Sequence, residues 1–167
     1  VTQHPCAVPN QEPREGIHEQ AGYRIEPYVE DFLDTPIGTV PRVATAPDIR
    51  DRTGHALTRI GVIRNCYTIM PGLYAVGNPG KASPVLVTAN FKLSFDTVRF
   101  SLKNVDCWIL VVDTRGINVW CAAGKGTFAS SEVVRQVEQV NLAGLVSHRE
   151  LVVPQLGAVA VSKDEVK

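Results

Sequence analysis

The chain has 167 residues, with 17 basic and 17 acidic side chains, enough for one domain with a real core and too few for two large ones. This balance leaves no electrostatic footprint for nucleic acid or an anionic membrane surface. No apolar run reaches the roughly 18 residues of a bilayer span, and residues 1–14 lack the charged-then-apolar pattern of a secretory signal; the chain as given should be soluble.

Residues 1–47 carry seven prolines (Pro5, Pro9, Pro13, Pro27, Pro36, Pro41, Pro47) and no long apolar periodicity. Proline fixes φ and removes a backbone donor, so an extended arm over residues 1–53 is expected, followed by a folded domain over 54–167. Residues 59–64 and 73–76 are strand candidates. Residues 84–89 are a stronger one, and 107–113, apolar and β-branched, the strongest. Between these two, residues 94–103 have helical spacing, with Phe95, Val98 and Leu102 facing inward. A second helix starts at Ser130 or Ser131 and runs toward Leu142, with Glu132 in its first turn and Gly144 placed to end it. Residues 150–153 read as one more short strand. Strands alternating with helices predict an α/β fold with a Rossmann-like, mostly parallel sheet and flanking helices. The pattern Ser162-Lys163-Asp164-Glu165 should launch a helix, yet Lys167 is the last residue, which suggests a piece of a longer protein.

The chemistry concentrates in Asn118-Val119-Trp120-Cys121-Ala122-Ala123-Gly124-Lys125. After the strand at 107–113, Thr114-Arg115-Gly116 turns the chain, so Cys121 falls in the first turn of a short helix. That helix lies past the C-terminal end of a core strand, where open α/β sheets bind ligands. A helix N-terminus offers unpaired N–H groups and partial positive charge, and it can lower a cysteine pKa from about 8.5 into roughly 3.5–7.5. A thiolate there is a soft ligand or a nucleophile; the competing reading is a small buried hydrophobe. Ala122, Ala123 and Gly124 leave the backbone bare enough for a large flat partner. Trp120 is expected to pack and hold the helix, Asn118 to cap it, and Lys125 to pair with an anion or to snorkel into water.

Other signals are weaker. Gly124-Lys125-Gly126 is no phosphate loop, since Val119 stands where its first glycine belongs and Gly126 replaces the Ser or Thr. The four cysteines (Cys6, Cys66, Cys107, Cys121) form no Cys-x-x-Cys pair, which argues against an iron–sulfur cluster or structural zinc on this chain. Cys107, in a strand, reads as structural, whereas Cys6 and Cys66 could pass a soft metal along. Thr88 and Asn90 end the 84–89 strand at the ligand-binding edge, or else cap the helix that follows. A cysteine-nucleophile enzyme would need a histidine or acid to activate Cys121, and the local sequence offers none.

Residues 118–125 resemble the cap-helix signature of the HgcA family, the corrinoid proteins of microbial mercury methylation. The segments Pro71-Gly72-Leu73-Tyr74-Ala75-Val76-Gly77-Asn78-Pro79, Ser83-Pro84-Val85-Leu86-Val87-Thr88-Ala89-Asn90 and Lys92-Leu93-Ser94-Phe95-Asp96 are similar to the same family, in the same order, and the likeness spans roughly residues 54–161. The related corrinoid iron–sulfur protein of acetyl-CoA synthesis shares the general domain. The resemblance implies a cobalamin-like corrinoid, bound base-off, with the Cys121 thiolate as lower axial ligand of cobalt. Asn118, Val119, Trp120, Ala122, Ala123, Gly124 and Lys125 would form the cap helix around it. Thr88 would lie on the opposite corrin face, Asn90 would contact the cofactor, and the turn at Gly77-Asn78-Pro79-Gly80 would border the ligand. None of His4, His18, His55 or His148 has glycine three residues later, so the Asp-x-His-x-x-Gly route to histidine ligation is absent.

By the same resemblance the function would be transfer of a methyl group from cobalt to Hg(II). An HgcB-like ferredoxin with 4Fe–4S clusters would be the reductant and a methyl-folate-dependent enzyme the methyl donor. The full protein would sit in the cytoplasmic membrane through a further C-terminal region, this domain facing the cytoplasm. The alternative is a corrinoid methyl carrier of the acetyl-CoA pathway, which needs no protein ligand to cobalt.

Overall fold

The computed structural model describes residues 26–63, 67–154 and 161–162. Six strands form one mixed sheet: β1 (Val29–Thr35), β2 (Gly38–Val43), β3 (Gly72–Val76), β4 (Val85–Ala89), β5 (Cys107–Val112) and β6 (Leu151–Val152), in the order β1-β2-β3-β5-β4-β6. The pairs β2–β3, β5–β4 and β4–β6 are parallel; β1–β2 and β3–β5 are antiparallel. The expected α/β class and the strands at 73–76, 84–89, 107–113 and 150–153 are all present. The helices are α1 (Ile49–Arg59), α2 (Lys92–Ser101), α3 (Val119–Gly124) and α4 (Ser130–Gln139), with a 3₁₀ turn at Leu142–Gly144.

Every residue of β5 is buried, as a strand covered on both faces must be. Alternation sorts the core into two layers. Trp108, Leu110 and Val112 join Val85, Val87 and Ala89 under α3 and α4, against Val119, Ala122, Phe128 and Val133. Cys107, Ile109 and Val111 join Tyr74 and Val76 under α2, against Phe95 and Leu102.

Three expectations are corrected. Residues 29–43 are not an irregular arm but a hairpin that adds two strands to the sheet. Pro36 sits in its tight turn, and Pro41 lies in β2, which meets β3 only through Arg42 and Ala75, so the missing N–H costs little pairing. The boundary at 53/54 falls inside α1 rather than between units. The strand expected at 59–64 is the end of α1 and a turn as far as Ile63. That helix starts on a capping box, with the Asp48 carboxylate accepting from the Asp51 N–H and the Asp51 carboxylate from the Asp48 N–H.

α1 meets α2 through buried charge. Lys92 Nζ donates to Asp51 Oδ1 at 2.8 Å and to Asp96 Oδ1 and Oδ2 at 2.7 and 2.6 Å. Arg99 donates from Nε to Asp96 at 2.7 Å, through Nη2 to Asp51 at 2.5 Å and through Nη1 to the Ala44 carbonyl at 2.6 Å. His55 Nε2 lies 2.7 Å from Asp96 Oδ2. Two carboxylates, Asp51 and Asp96, thus face two cations, Lys92 and Arg99. Burial alone would raise the Asp51 carboxyl, but hydrogen bonds from Lys92, the Asp48 backbone and Arg99 hold it below its ordinary value.

Candidate functional site

Because β4 and β5 run parallel in the register Val85↔Trp108 to Ala89↔Val112, both strands end at the same sheet edge, and residues 90 and 113 emerge side by side. Asn90 turns that adjacency into a fixed platform. Its Oδ1 accepts from the Thr114 N–H at 3.0 Å, the Thr114 hydroxyl at 2.9 Å and the Gly116 N–H at 3.0 Å, while its Nδ2 donates to Asp113 at 3.0 Å. The Asn90 N–H donates to the Val112 carbonyl at 3.0 Å. Arg115 and Gly116 both take left-handed backbone, at φ 57° and 70°, and reverse the chain into α3. Asn90, expected as a cofactor contact or a cap, holds the loop that carries Cys121. An asparagine following a strand is the only sequence signal for this, and residue type alone does not mark its partners Asp113, Thr114 and Gly116.

α3 is closed at both ends. The Asn118 carboxamide oxygen accepts from the Cys121 N–H at 2.9 Å, as expected of a capping residue. At the other end Gly126, at φ +72°, donates to the Ala123 carbonyl and Thr127 donates to the Ala122 carbonyl, the paired bonds of a Schellman stop. Val119 and Ala122, three apart, anchor the helix in the core. Trp120, one step round the helix, is 69% exposed. The expectation that it packs and holds α3 is therefore corrected, since the helical period gives the core-facing side to its smaller neighbours.

Cys121 is half-buried and free, and Ala123 beside it is also half-buried. Gly124 and Lys125 are exposed, and a Cβ on Gly124 would meet nothing within 4 Å. Packing does not require glycine there, so its effect is to keep the surface beside the thiol bare. Among the described residues no side chain is hydrogen bonded to the Cys121 sulfur, and no cluster of three or more His, Cys, Asp or Glu could hold a metal. Among the described residues, then, Cys121 has no hydrogen-bonded base beside it and presents a single soft donor. Cys107 is structural, as expected: buried in β5, its thiol is pushed up to about 11, chiefly by burial and secondarily by Asp106. Cys6 and Cys66 lie outside the described residues, as do His4, His18 and the capping pattern beyond Ser162.

Thr88 and the turn at 77–80 both lie apart from α3. Thr88 is fully buried, and alternation puts it with Leu86 in the layer beneath α2, away from α3; its hydroxyl has no hydrogen-bond partner. The turn at residues 77–80 is at the opposite sheet edge. β3 runs antiparallel to β5, so Val76 pairs with Cys107 and the following turn hydrogen bonds to Asp106, through Asn78 at 2.8 Å. A turn's composition carries no strand direction, which is why its placement is not readable from sequence.

The family model described as "CO dehydrogenase/acetyl-CoA synthase delta subunit" matches residues 64–167. The chain is 40% identical over 101 residues to the "Acetyl-CoA decarbonylase/synthase complex subunit gamma" of Methanopyrus kandleri, covering 59% of this chain and 21% of that protein. It is 40% identical over 97 residues to the subunit of the same name from Methanocaldococcus jannaschii, covering 57% and 20%. From Archaeoglobus fulgidus the figure is 37% over 92 residues, covering 54% and 20%. The chain spans about one fifth of the length of these relatives. These matches overturn the expectation of mercury methylation and favour the methyl-carrier alternative, because the relatives are named as subunits of acetyl-CoA decarbonylase/synthase. Hg(II) as substrate and an HgcB-like ferredoxin as partner fall with it. So does the membrane location, which rested on that resemblance; among the described residues no helix is long and apolar enough to cross a membrane.

Proposed function

The chain belongs to the CO dehydrogenase/acetyl-CoA synthase delta subunit family, and on that premise we propose that it is the corrinoid-carrying domain of a methyl carrier that works with the other subunits of an acetyl-CoA decarbonylase/synthase-type complex. The observation that carries the reading is the cap helix itself, which holds one half-buried thiol beside a glycine facing open space, at the edge where two parallel strands end.

The residues suit a flat macrocycle with a metal at its centre. A single thiolate is a donor for a soft or borderline metal whose other ligands come with the cofactor. When bound, the corrinoid supplies a cobalt atom able to accept and release a methyl group. The protein's part is to present the Cys121 sulfur to that cobalt, a ligand that alters the metal's electron density. Asn118 fixes the turn bearing Cys121, Asn90 fixes the loop before it, Ala123 and Gly124 leave room, and Lys125 offers a cation to a polar edge of the ligand. Trp120 lends exposed apolar surface to the same face. Cysteine ligation is the part of the HgcA resemblance kept here, as a property of this carrier.

The test is the visible absorption spectrum of the purified protein with methylcobalamin, beside that of Cys121→Ala. A base-off, thiolate-ligated spectrum that disappears in the variant is the expected result. Identical spectra in both would leave a carrier without a protein ligand, and no binding by either would refute the corrinoid reading.

A further inference from the structure

α1 is amphipathic the wrong way round. Its buried positions are Asp51, Gly54 and Thr58, and its large apolar side chains face water: Ile49 is 72%, Leu57 40% and Ile60 73% exposed. At about 100° per residue, Ile49, Thr53, Ala56, Leu57 and Ile60 fall within an arc of about 100° opposite the buried side. The Thr53 hydroxyl is turned back onto the Ile49 and Arg50 carbonyls at 3.1 Å, so the arc carries no unpaired polar group from it. Arg50 borders one side of the arc, Arg52 and Arg59 the other. All three are exposed, and none has an ion-pair partner among the described residues. Two of them lie in the first turns, where positive charge opposes the helix dipole.

We propose that this face of α1 docks an acidic amphipathic helix of a different protein chain. An apolar arc this narrow matches a helix–helix seam, with the flanking arginines meeting Asp or Glu on the partner, as the charged positions beside a coiled-coil seam do. A second copy of this chain would oppose arginine to arginine across the seam. A membrane surface is met by a broader apolar face than the arc of about 100° that Ile49, Thr53, Ala56, Leu57 and Ile60 provide. The inverted pattern also explains why a polar network is what attaches α1 to the domain: the apolar side is kept for the partner. α1 lies in the layer of α2, away from Cys121, so the inference does not rest on the corrinoid reading.

The experiment places p-benzoylphenylalanine at Leu57 or Ile60 of the full-length protein, with the half-exposed Val105 as control position, and irradiates the cells that make it. The expected result is a cross-link at least fivefold above the Val105 yield, to one other protein, in a segment with apolar residues three and four apart and flanking Asp or Glu. R52E/R59E should lower that yield at least fivefold, and replacing the partner's acids by lysine should restore it. Cross-links to lipid, to a second copy, to any other segment of the same polypeptide, or to a segment without acids would each overturn the proposal. So would a yield equal to that at Val105, or one unchanged by R52E/R59E. Methylcobalamin binding by R52E/R59E, measured alongside, reports separately on the site at Cys121.

Discussion

Replacing Asp96 by asparagine tests whether the buried charges between α1 and α2 act as one neutral unit. Asp96 is fully buried and accepts from Lys92 twice, from Arg99 and from His55, all within 2.7 Å. Asp96→Asn keeps the shape but leaves Lys92 and Arg99 facing Asp51 alone, one positive charge in excess inside the protein. Breaking a buried pair in this way costs about 3–5 kcal/mol, because the remaining charge stays desolvated without its partner. At about 2–4 °C per kcal/mol for a domain of this size, the melting temperature should fall by roughly 6–20 °C. Urea denaturation at pH 7 should show the same loss as a lower midpoint with an unchanged slope. Lys92→Met on top of Asp96→Asn removes the excess charge, so the double variant should regain at least about 1.5 kcal/mol over the additive expectation. If Asp96→Asn lies within about 0.5 kcal/mol of wild type, the network is not holding α1 in place and the reasoning fails.

The depressed Asp51 carboxyl gives a signed pH dependence. Its stabilising effect should be full above its ordinary value of 3.8 and vanish as pH falls through the lower folded-state value, so the wild-type margin over Asp51→Asn in urea should shrink only below about pH 4. Iodoacetamide at pH 8 should label Cys121 in the native protein and leave Cys107, whose thiol is pushed up to about 11, unmodified until urea is added; peptide mass spectrometry separates the two. Gly124→Leu should leave the melting temperature within about 2 °C of wild type, since its side chain points into open space, while weakening methylcobalamin binding at least tenfold. A large loss of stability would mean that the glycine serves packing instead.

The sheet's centre is legible in the sequence because β4 and β5 are buried on both sides, and continuous apolar runs such as Trp108-Ile109-Leu110-Val111-Val112 admit few other readings. The helices at 92–101 and 130–139 are legible because Phe95, Val98 and Leu102 in one, and Val133, Val137 and Val140 in the other, recur at helical spacing on the side that meets the core. α1 escapes for the opposite reason: its buried face is Asp51, Gly54 and Thr58, so the usual periodicity points nowhere. The pairs Asp51/His55 and Lys92/Asp96, each four apart, are its available signal. At the site, the cap by Asn118 and the placement of Cys121 follow from residue types and spacing. Trp120, Thr88 and the turn at 77–80 do not, because each depends on which way a helix or strand faces in three dimensions.

The platform under α3 also bears on how a ligand would be received. Four hydrogen-bond contacts through Asn90, the Asn118 cap and the Gly126 stop hold the Cys121 loop through the chain's own groups. Association then loses little conformational entropy on the protein side. Calorimetry of ligand uptake should accordingly show a heat-capacity change set by the apolar surface covered, chiefly at Trp120 and Ala123, with no added contribution from a folding segment. For the carrier role proposed above, which calls for repeated loading and emptying, a receptor built in advance would keep the dissociation rate a property of the contacts alone.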